Sequence, residues 1–246
     1  MIEAMKIRFF TAFLILLLPV GLMAQQPSSG SGPEALFKAH LSGEVYTPPV
    51  IHSGSQWFIG DWANSNVTLI TGEKVSDVML RYNGYLDELF WLTPGTFEQV
   101  RLDKNLIRQF EMEDPGSGEK LIFKNLEVNN ILAPGSIQVF AQLLHRGDIS
   151  LYVHRKIRET GATTSVMVGG TLVARRVLGP DYQYYLQHRS ELPGAIQPAR
   201  RSLMRTFPQH RRQIRQALRQ HNIRIRNEAQ LIYAIEIIND LVRNGK

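Results

Sequence analysis

The chain has 246 residues, 43% of them hydrophobic and 20% charged, with a net charge of +6. That is enough apolar material for one large globular domain or two small ones, with a core that needs no metal or disulfide support. There is no cysteine, which excludes a disulfide framework, a thiolate zinc site, a cysteine nucleophile and a lipid-modified N-terminal cysteine.

The first 24 residues read as an export signal. Lys6 and Arg8 form a positive n-region, Phe9 to Val20 an apolar h-region, and Leu22-Met23-Ala24 a cleavage site before Gln25. The uncharged run Phe9 to Ala24 is 16 residues long and carries Pro19, whereas a spanning helix wants roughly 20. Cleavage is therefore expected over retention as an anchor. No later stretch reaches spanning length, so the mature chain is expected in the periplasm or outside the cell. Residues 25–42 read as a linker or N-terminal extension, with Gln26 to Pro33 too poor in apolar side chains to pack. A single domain is expected over 43–246, β-rich over 43–187 and helical over 199–243.

The β-rich part consists of short runs separated by turn residues. Val67 to Ile70 stops at Thr71-Gly72, and Val75 to Tyr82 follows, the pattern of a hairpin. Asn83-Gly84 then lies between Tyr82 and Tyr85, a two-residue turn signal that would put Tyr82 opposite Tyr85 and Val78, Leu80, Asp87 and Leu89 on one face. The rival is one long strand with Gly84 at a bulge. Further strands are predicted at Glu98 to Leu102, Leu106 to Met112, Lys120 to Val128, Ile137 to Leu144, Ile149 to Ile157 and Tyr182 to Gln187. Val166 to Arg176 is open between a strand and a helix broken at Gly169-Gly170. Short links between strands point to a mostly antiparallel sheet.

The last fifty residues change period. At 100° per residue, Ile214, Ala217, Leu218 and His221 fall in one sector. Arg211, Arg212, Arg215 and Arg219 fall in the next, and Gln209, Gln213, Gln216 and Gln220 in a third. This predicts a helix from Pro208 to His221, with Asn222 as its stop. Asn227 then caps a second helix in which Leu231, Ile232, Ala234, Ile235, Ile238, Leu241 and Val242 cover more than half the circumference. Such a helix must be largely buried.

Charge is unevenly spread. Residues 51–150 carry 8 basic and 13 acidic side chains, and residues 151–246 carry 17 basic and 6 acidic, 15 of the 17 being arginine. A solvated basic face is the plain explanation. Arg211, Arg215 and Arg219, however, repeat at i, i+4, i+8, where like charges repel by about 0.2–0.5 kcal/mol per pair. Arg211, Arg212, Arg215 and Arg219 therefore form a candidate surface for an anionic envelope component or a protein partner. The chain lacks zinc ligands and aromatic-rich RNA-binding strands, which points away from nucleic acid.

Catalytic constellations are sparse. There is no nucleophile elbow, zinc-protease helix or phosphate-binding glycine loop. Ser117-Gly118-Glu119-Lys120 matches S-x-x-K, but it lies in a flexible Asp-Pro-Gly-Ser-Gly turn with no Lys-Thr-Gly downstream. The seven histidines show no ligand spacing. Asp87 and Glu88, if adjacent on a strand, point to opposite faces, and one of them is expected to pair with Arg81. No catalytic residue, metal site or cofactor is assigned. Trp57, Trp62 and Trp91 are a candidate aromatic platform for sugars, set against ordinary core packing.

The order Ser55-x-Trp57-Phe58-x-x-Asp61-Trp62, then Val67-x-Leu69, then Leu80-Arg81-Tyr82-Asn83-x-Tyr85-x-Asp87-Glu88 resembles a family of exported bacterial proteins. The likeness continues through Phe140-x-x-Leu143-Leu144-x-x-Gly147-x-x-x-Leu151 and Tyr184-Tyr185-Leu186, and runs from about Gly43 to Leu241. It implies a signal peptide, a β-rich body and a C-terminal helical hairpin, and carries no established activity or ligand. The expected fold is thus α+β: a mostly antiparallel, curved sheet closed by two C-terminal α-helices. The expected function is a non-enzymatic binding or assembly component of the cell envelope. The alternative is a glycan-active hydrolase or carbohydrate-binding module using Trp57, Trp62 and Trp91.

Overall fold

Alternation of buried and exposed residues along the chain becomes a large, mostly antiparallel sheet. The computed structural model describes residues 41, 43–46, 52–129 and 134–244, all within the unit Gly32–Lys246. The expected signal over 1–24 and the linker segment Gln26 to Pro33 lie outside the described residues. The first strands are β1 (Gly43–Val45), β2 (His52–Ser53), β3 (Ala63–Leu69), β4 (Lys74–Asn83), β5 (Glu88–Leu92) and β6 (Gln99–Leu102). The middle strands are β7 (Ile107–Glu113), β8 (Lys120–Asn129), β9 (Ser136–His145) and β10 (Ile149–His154). Then come β11 (Ile157–Val168), β12 (Thr171–Pro180), β13 (Gln183–His188) and β14 (Gly194–Ile196), and the helices α1 (Arg200–Thr206), α2 (Arg211–Gln220) and α3 (Glu228–Asn244).

Among the described residues, eleven strands form one sheet in the order β1-β6-β5-β4-β3-β7-β8-β9-β10-β13-β14, and β11, β12 and β2 form a second. The large sheet is two meanders, β3 to β6 and β7 to β10, running outward from the β3–β7 pair. A flat sheet would separate β6 from β7 by four interstrand spacings, about 19 Å. The link from Leu102 to Ile107 reaches at most about 17 Å when fully extended, and Lys104–Leu106 within it is a 3-10 turn. The sheet must therefore curl, which brings that link against the β4–β5 loop. Asn125 on β8 fixes it by donating its amide to the carbonyls of Lys104 (2.9 Å) and Ile107 (3.0 Å).

The concave side is filled with aromatic rings. Phe110 and Phe123 are cross-strand partners and stack at 4.8 Å and 6°, while Tyr82 and Phe140 close around them. β10 departs from alternation because both of its faces are covered. Ile149 and Leu151 pack under the helices, and Tyr152 packs with Val139, Ala141 and Tyr185 on the other side.

Three α-helices, rather than the two expected, follow among the described residues. Pro208–His210 is a 3-10 turn, so the predicted helix begins properly at Arg211, and α1 is a separate element before it. Asn222 takes a left-handed φ of 50° and ends α2, with the Ile223 amide donating to Leu218 O at 2.9 Å. Asn227 Oδ1 accepts from the Gln230 amide at 2.9 Å and caps α3. Leu231, Ile235 and Ile238 of α3 are fully buried, while Tyr233, Glu236 and Asp240 are exposed. His221, placed by periodicity on the apolar face of α2, is exposed, and its Nδ1 lies 3.2 Å from the Tyr233 hydroxyl. The helix has ended by that residue, so the face it was assigned no longer exists. No helix among the described residues is long and apolar enough to cross a membrane.

Candidate functional site

α2 turns Ile214, Ala217 and Leu218 inward and leaves Arg211, Arg212, Arg215 and Arg219 exposed. No carboxylate among the described residues pairs with any of these four. The acidic first half of the chain does not pair with them, and those of its buried carboxylates that form ion pairs do so elsewhere. Arg101 takes Glu44 and Glu88, and Lys104 takes Asp87. The like-charge row on α2 is therefore exposed without compensation from the described residues.

The three tryptophans do not form one platform. Leu80 and Trp91 are cross-strand partners, and both belong to the buried core, Trp91 being 2% exposed. Trp57 and Trp62 are half-buried on the opposite, outer face of β4 and β5, next to Phe90 and Arg81. Trp57 packs edge-on against Phe90 at 5.3 Å. The Arg81 guanidinium lies 4.2 Å from the Trp57 ring and 5.9 Å from that of Trp62, so the stacking position a sugar would use is taken by a protein cation. Burial lowers the Arg81 guanidinium from its usual value, partly offset by Asp61. Its parity on β5 turns Trp91 inward, whereas Trp57 and Trp62 lie in the connection between β2 and β3.

The Asn-Gly turn does not form. β4 and β5 are in the register Asn83↔Glu88, Tyr82↔Leu89 and Leu80↔Trp91, so the connection is the four-residue loop Gly84 to Asp87. The expected pairing was off by an even number of residues, which leaves the inward face intact: Val78, Leu80, Tyr82 and Leu89 are all buried. Asn83 Oδ1 accepts from the amides of Tyr85 and Leu86, each at 3.0 Å, and holds the loop. Gly84 is needed for close approach, because a Cβ there would lie 2.4 Å from Arg155 O.

Asp87, at the end of this loop with φ 57°, is the hub of a buried cluster that residue order does not reveal. Its Oδ1 accepts from the Tyr82 hydroxyl at 2.7 Å and the Phe140 amide at 3.2 Å. Its Oδ2 accepts from Lys104 Nζ at 2.5 Å, and His154 Nε2 lies 3.4 Å from Oδ1. Burial alone would push the Asp87 carboxyl up. His154 and the Lys104 ammonium pull harder, and the carboxyl is held below its ordinary range. Burial beside this carboxylate drives the Tyr82 phenol well above its usual value. Asp87 is not on a strand, so the alternation argument that kept it apart from Glu88 fails. Both line one groove of about 730 Å³ with Arg101, Lys104 and Gln138. Glu88 is raised by burial, against the pull of Arg101. Neither acid pairs with Arg81, which points to the outer face.

A second buried ion pair joins sheet to helix. Arg155 donates through Nη1 and Nη2 to the two carboxylate oxygens of Glu228, each at 2.8 Å, and through Nε to Gln142 at 2.7 Å. The Tyr184 hydroxyl also donates to Glu228 at 3.1 Å. Burial, then the Glu228 charge, pushes that phenol up to about 12. Among the described residues no three His, Asp or Glu side chains gather as metal ligands.

No family model and no solved structure matches the chain. A stretch of 140 residues, 55% of the chain, is 26% identical to a deoxyribodipyrimidine photo-lyase of Arabidopsis thaliana and covers 27% of that protein. The chain thus spans about a quarter of the length of the curated relative it matches, which assigns it to no family.

Proposed function

We propose that this is an exported, non-enzymatic protein of the cell envelope, periplasmic or secreted, that binds an anionic envelope component or partner through the arginine face of α2. One observation carries the reading: Arg211, Arg212, Arg215 and Arg219 are exposed together, and no carboxylate among the described residues neutralises them. Their mutual repulsion weakens the helix, and a phosphate- or carboxylate-bearing ligand removes that repulsion while gaining bidentate guanidinium contacts. The leader-like N-terminus and the resemblance to exported bacterial proteins support the location. In this reading α2 and α3 close the curved sheet and present the basic face outward.

Binding of soluble inorganic polyphosphate, followed by fluorescence anisotropy, tests the site. Arg211→Gln/Arg215→Gln/Arg219→Gln should keep the fold and lose the binding; unchanged affinity rejects the assignment. N-terminal sequencing of protein recovered from the producing cell should begin at Gln25, and retention of the leader rejects export by cleavage.

The glycan-active alternative has one observation in its favour: Asp87 and Glu88 line the same groove with their carboxyls shifted in opposite directions, the pattern of an acid–base pair. Against it, both Asp87 oxygens already accept hydrogen bonds from protein donors. Turnover of an envelope glycan by pure protein, abolished in Glu88→Gln, would establish it in place of the binding role.

A further inference from the structure

β11 and β12 extend as an arm in which no residue from Thr160 to Arg176 is buried. Thr160 to Ala174 carries no charge, and Arg175 and Arg176 follow directly. The arm turns at Gly169 and Gly170, with φ of 56° and 81°, the positive pair that a tight two-residue hairpin requires. In its register Val166 faces Val173, Met167 faces Leu172 and Val168 faces Thr171. Cross-strand partners share a face. Val166, Val168 and Val173 therefore lie on one side of the tip, and Met167, Leu172 and Ala174 on the other. Met167 is 68% and Leu172 65% exposed.

The base of the arm is fixed to the body. β2 pairs in parallel with β12 at Arg176 and Val177. Glu159 accepts from Arg176 Nη1 at 2.6 Å and lies 3.1 Å from His52 Nε2. The same carboxylate takes the Tyr85 hydroxyl at 3.4 Å. Arg176 is thus neutralised within the fold, while Arg175 has no carboxylate partner among the described residues.

We propose that this arm docks in the headgroup layer of an anionic lipid bilayer, with the Val166–Val173 tip at the acyl boundary and Arg175 at the phosphates. Charge complementarity supports a lipid surface, since residues 160–176 hold no acid and Arg175 keeps its charge while Arg176 is paired with Glu159. So does the two-sided tip: a groove on a partner protein covers one face, whereas a bilayer interface covers both. Arg175 stands three residues behind Leu172, about 10 Å along a strand, close to the depth at which amphipathic elements sit in the interface. Water in that layer satisfies the outer edges of the hairpin tip, unpaired among the described residues, which the hydrocarbon interior would not. The inference is independent of the α2 site.

Flotation of the full chain with vesicles of phosphatidylcholine, alone or mixed with phosphatidylglycerol, reads the docking. Binding is expected only to the mixed vesicles. It should weaken roughly tenfold in Met167→Ser/Leu172→Ser, since two large apolar side chains no longer leave water, with circular dichroism unchanged because neither residue is buried. Arg175→Gln should weaken it less. In Leu172→Trp, lipids brominated on the acyl chain should quench added fluorescence, and this should persist in the background of the α2 glutamine variant. Undiminished binding by the double serine variant, or no quenching of Leu172→Trp, overturns the proposal. So does full displacement from vesicles by inorganic phosphate, which would make the ligand a free anion. A dimer that the serine variant dissolves also overturns it, because the arm would then serve a second copy.

Discussion

The Asp87 cluster and the outer face of α2 handle charge in opposite ways. At Asp87 one carboxylate collects a phenol, a backbone amide, an ammonium and an imidazole from β4, β9, the β6–β7 link and β10. On α2, four guanidiniums stand side by side with no acid among the described residues to meet them. Burial makes an unpaired charge very costly, so the buried carboxylate gathers partners around it, whereas an exposed row of like charge costs only tenths of a kcal/mol per pair. The first arrangement holds the fold together, and the second leaves charge free for something outside it.

The sharpest way to break that contrast is to remove the buried hub. Asp87→Asn keeps the left-handed loop residue, which asparagine tolerates, but leaves Lys104 and His154 without their anion. It should cost about 3–5 kcal/mol, read as a large fall in the urea midpoint; a loss below ~1 kcal/mol would mean the cluster is solvated. Gly84→Ala drives a Cβ into the Arg155 carbonyl and should cost about 1–3 kcal/mol, with Gly72→Ala no guide to it, since Gly72 is glycine for its φ of 92° rather than for space. Acid titration sharpens the comparison further. The folded Asp87 carboxyl lies below its unfolded value, so its contribution is complete above the ordinary aspartate pKa of about 3.9. It is lost as pH falls through the depressed folded value. Wild type should lose stability over that acid window, and Asp87→Asn should show a flatter profile there. The smallest effect belongs to α2: replacing Arg211, Arg215 and Arg219 with glutamine removes two i,i+4 repulsions and should raise stability by at most about 1 kcal/mol.

Periodicity made the fold largely readable. The inward faces of β4 and β5 follow from alternation even with the wrong turn, because an even slip in register preserves the face. α2 and the cap of α3 are local features and could be read directly. What could not be read depends on distant partners. Asp87 meets Lys104 across 17 residues and Tyr82 meets Phe140 across 58. The pairing of Arg155 with Glu228 spans 73. The first two contacts exist because the sheet curls and the third because α3 docks on β10; the clue to the curl, the five-residue step from Leu102 to Ile107, has meaning only once the strand order is known. The tryptophan platform failed for a related reason: parity on β5 turns Trp91 into the core, while Trp57 and Trp62, in the connection between β2 and β3, flank an arginine.

One variant tests the central claim most directly. Stability and polyphosphate affinity should be measured together for Arg211→Gln/Arg215→Gln/Arg219→Gln. Three lost cations at about 0.5–1 kcal/mol each predict an affinity roughly ten- to a hundredfold weaker, with an unfolding midpoint equal to or above that of wild type. Affinity that survives the substitution, or falls only because the protein unfolds, would contradict the assignment of α2 as the anion-binding face.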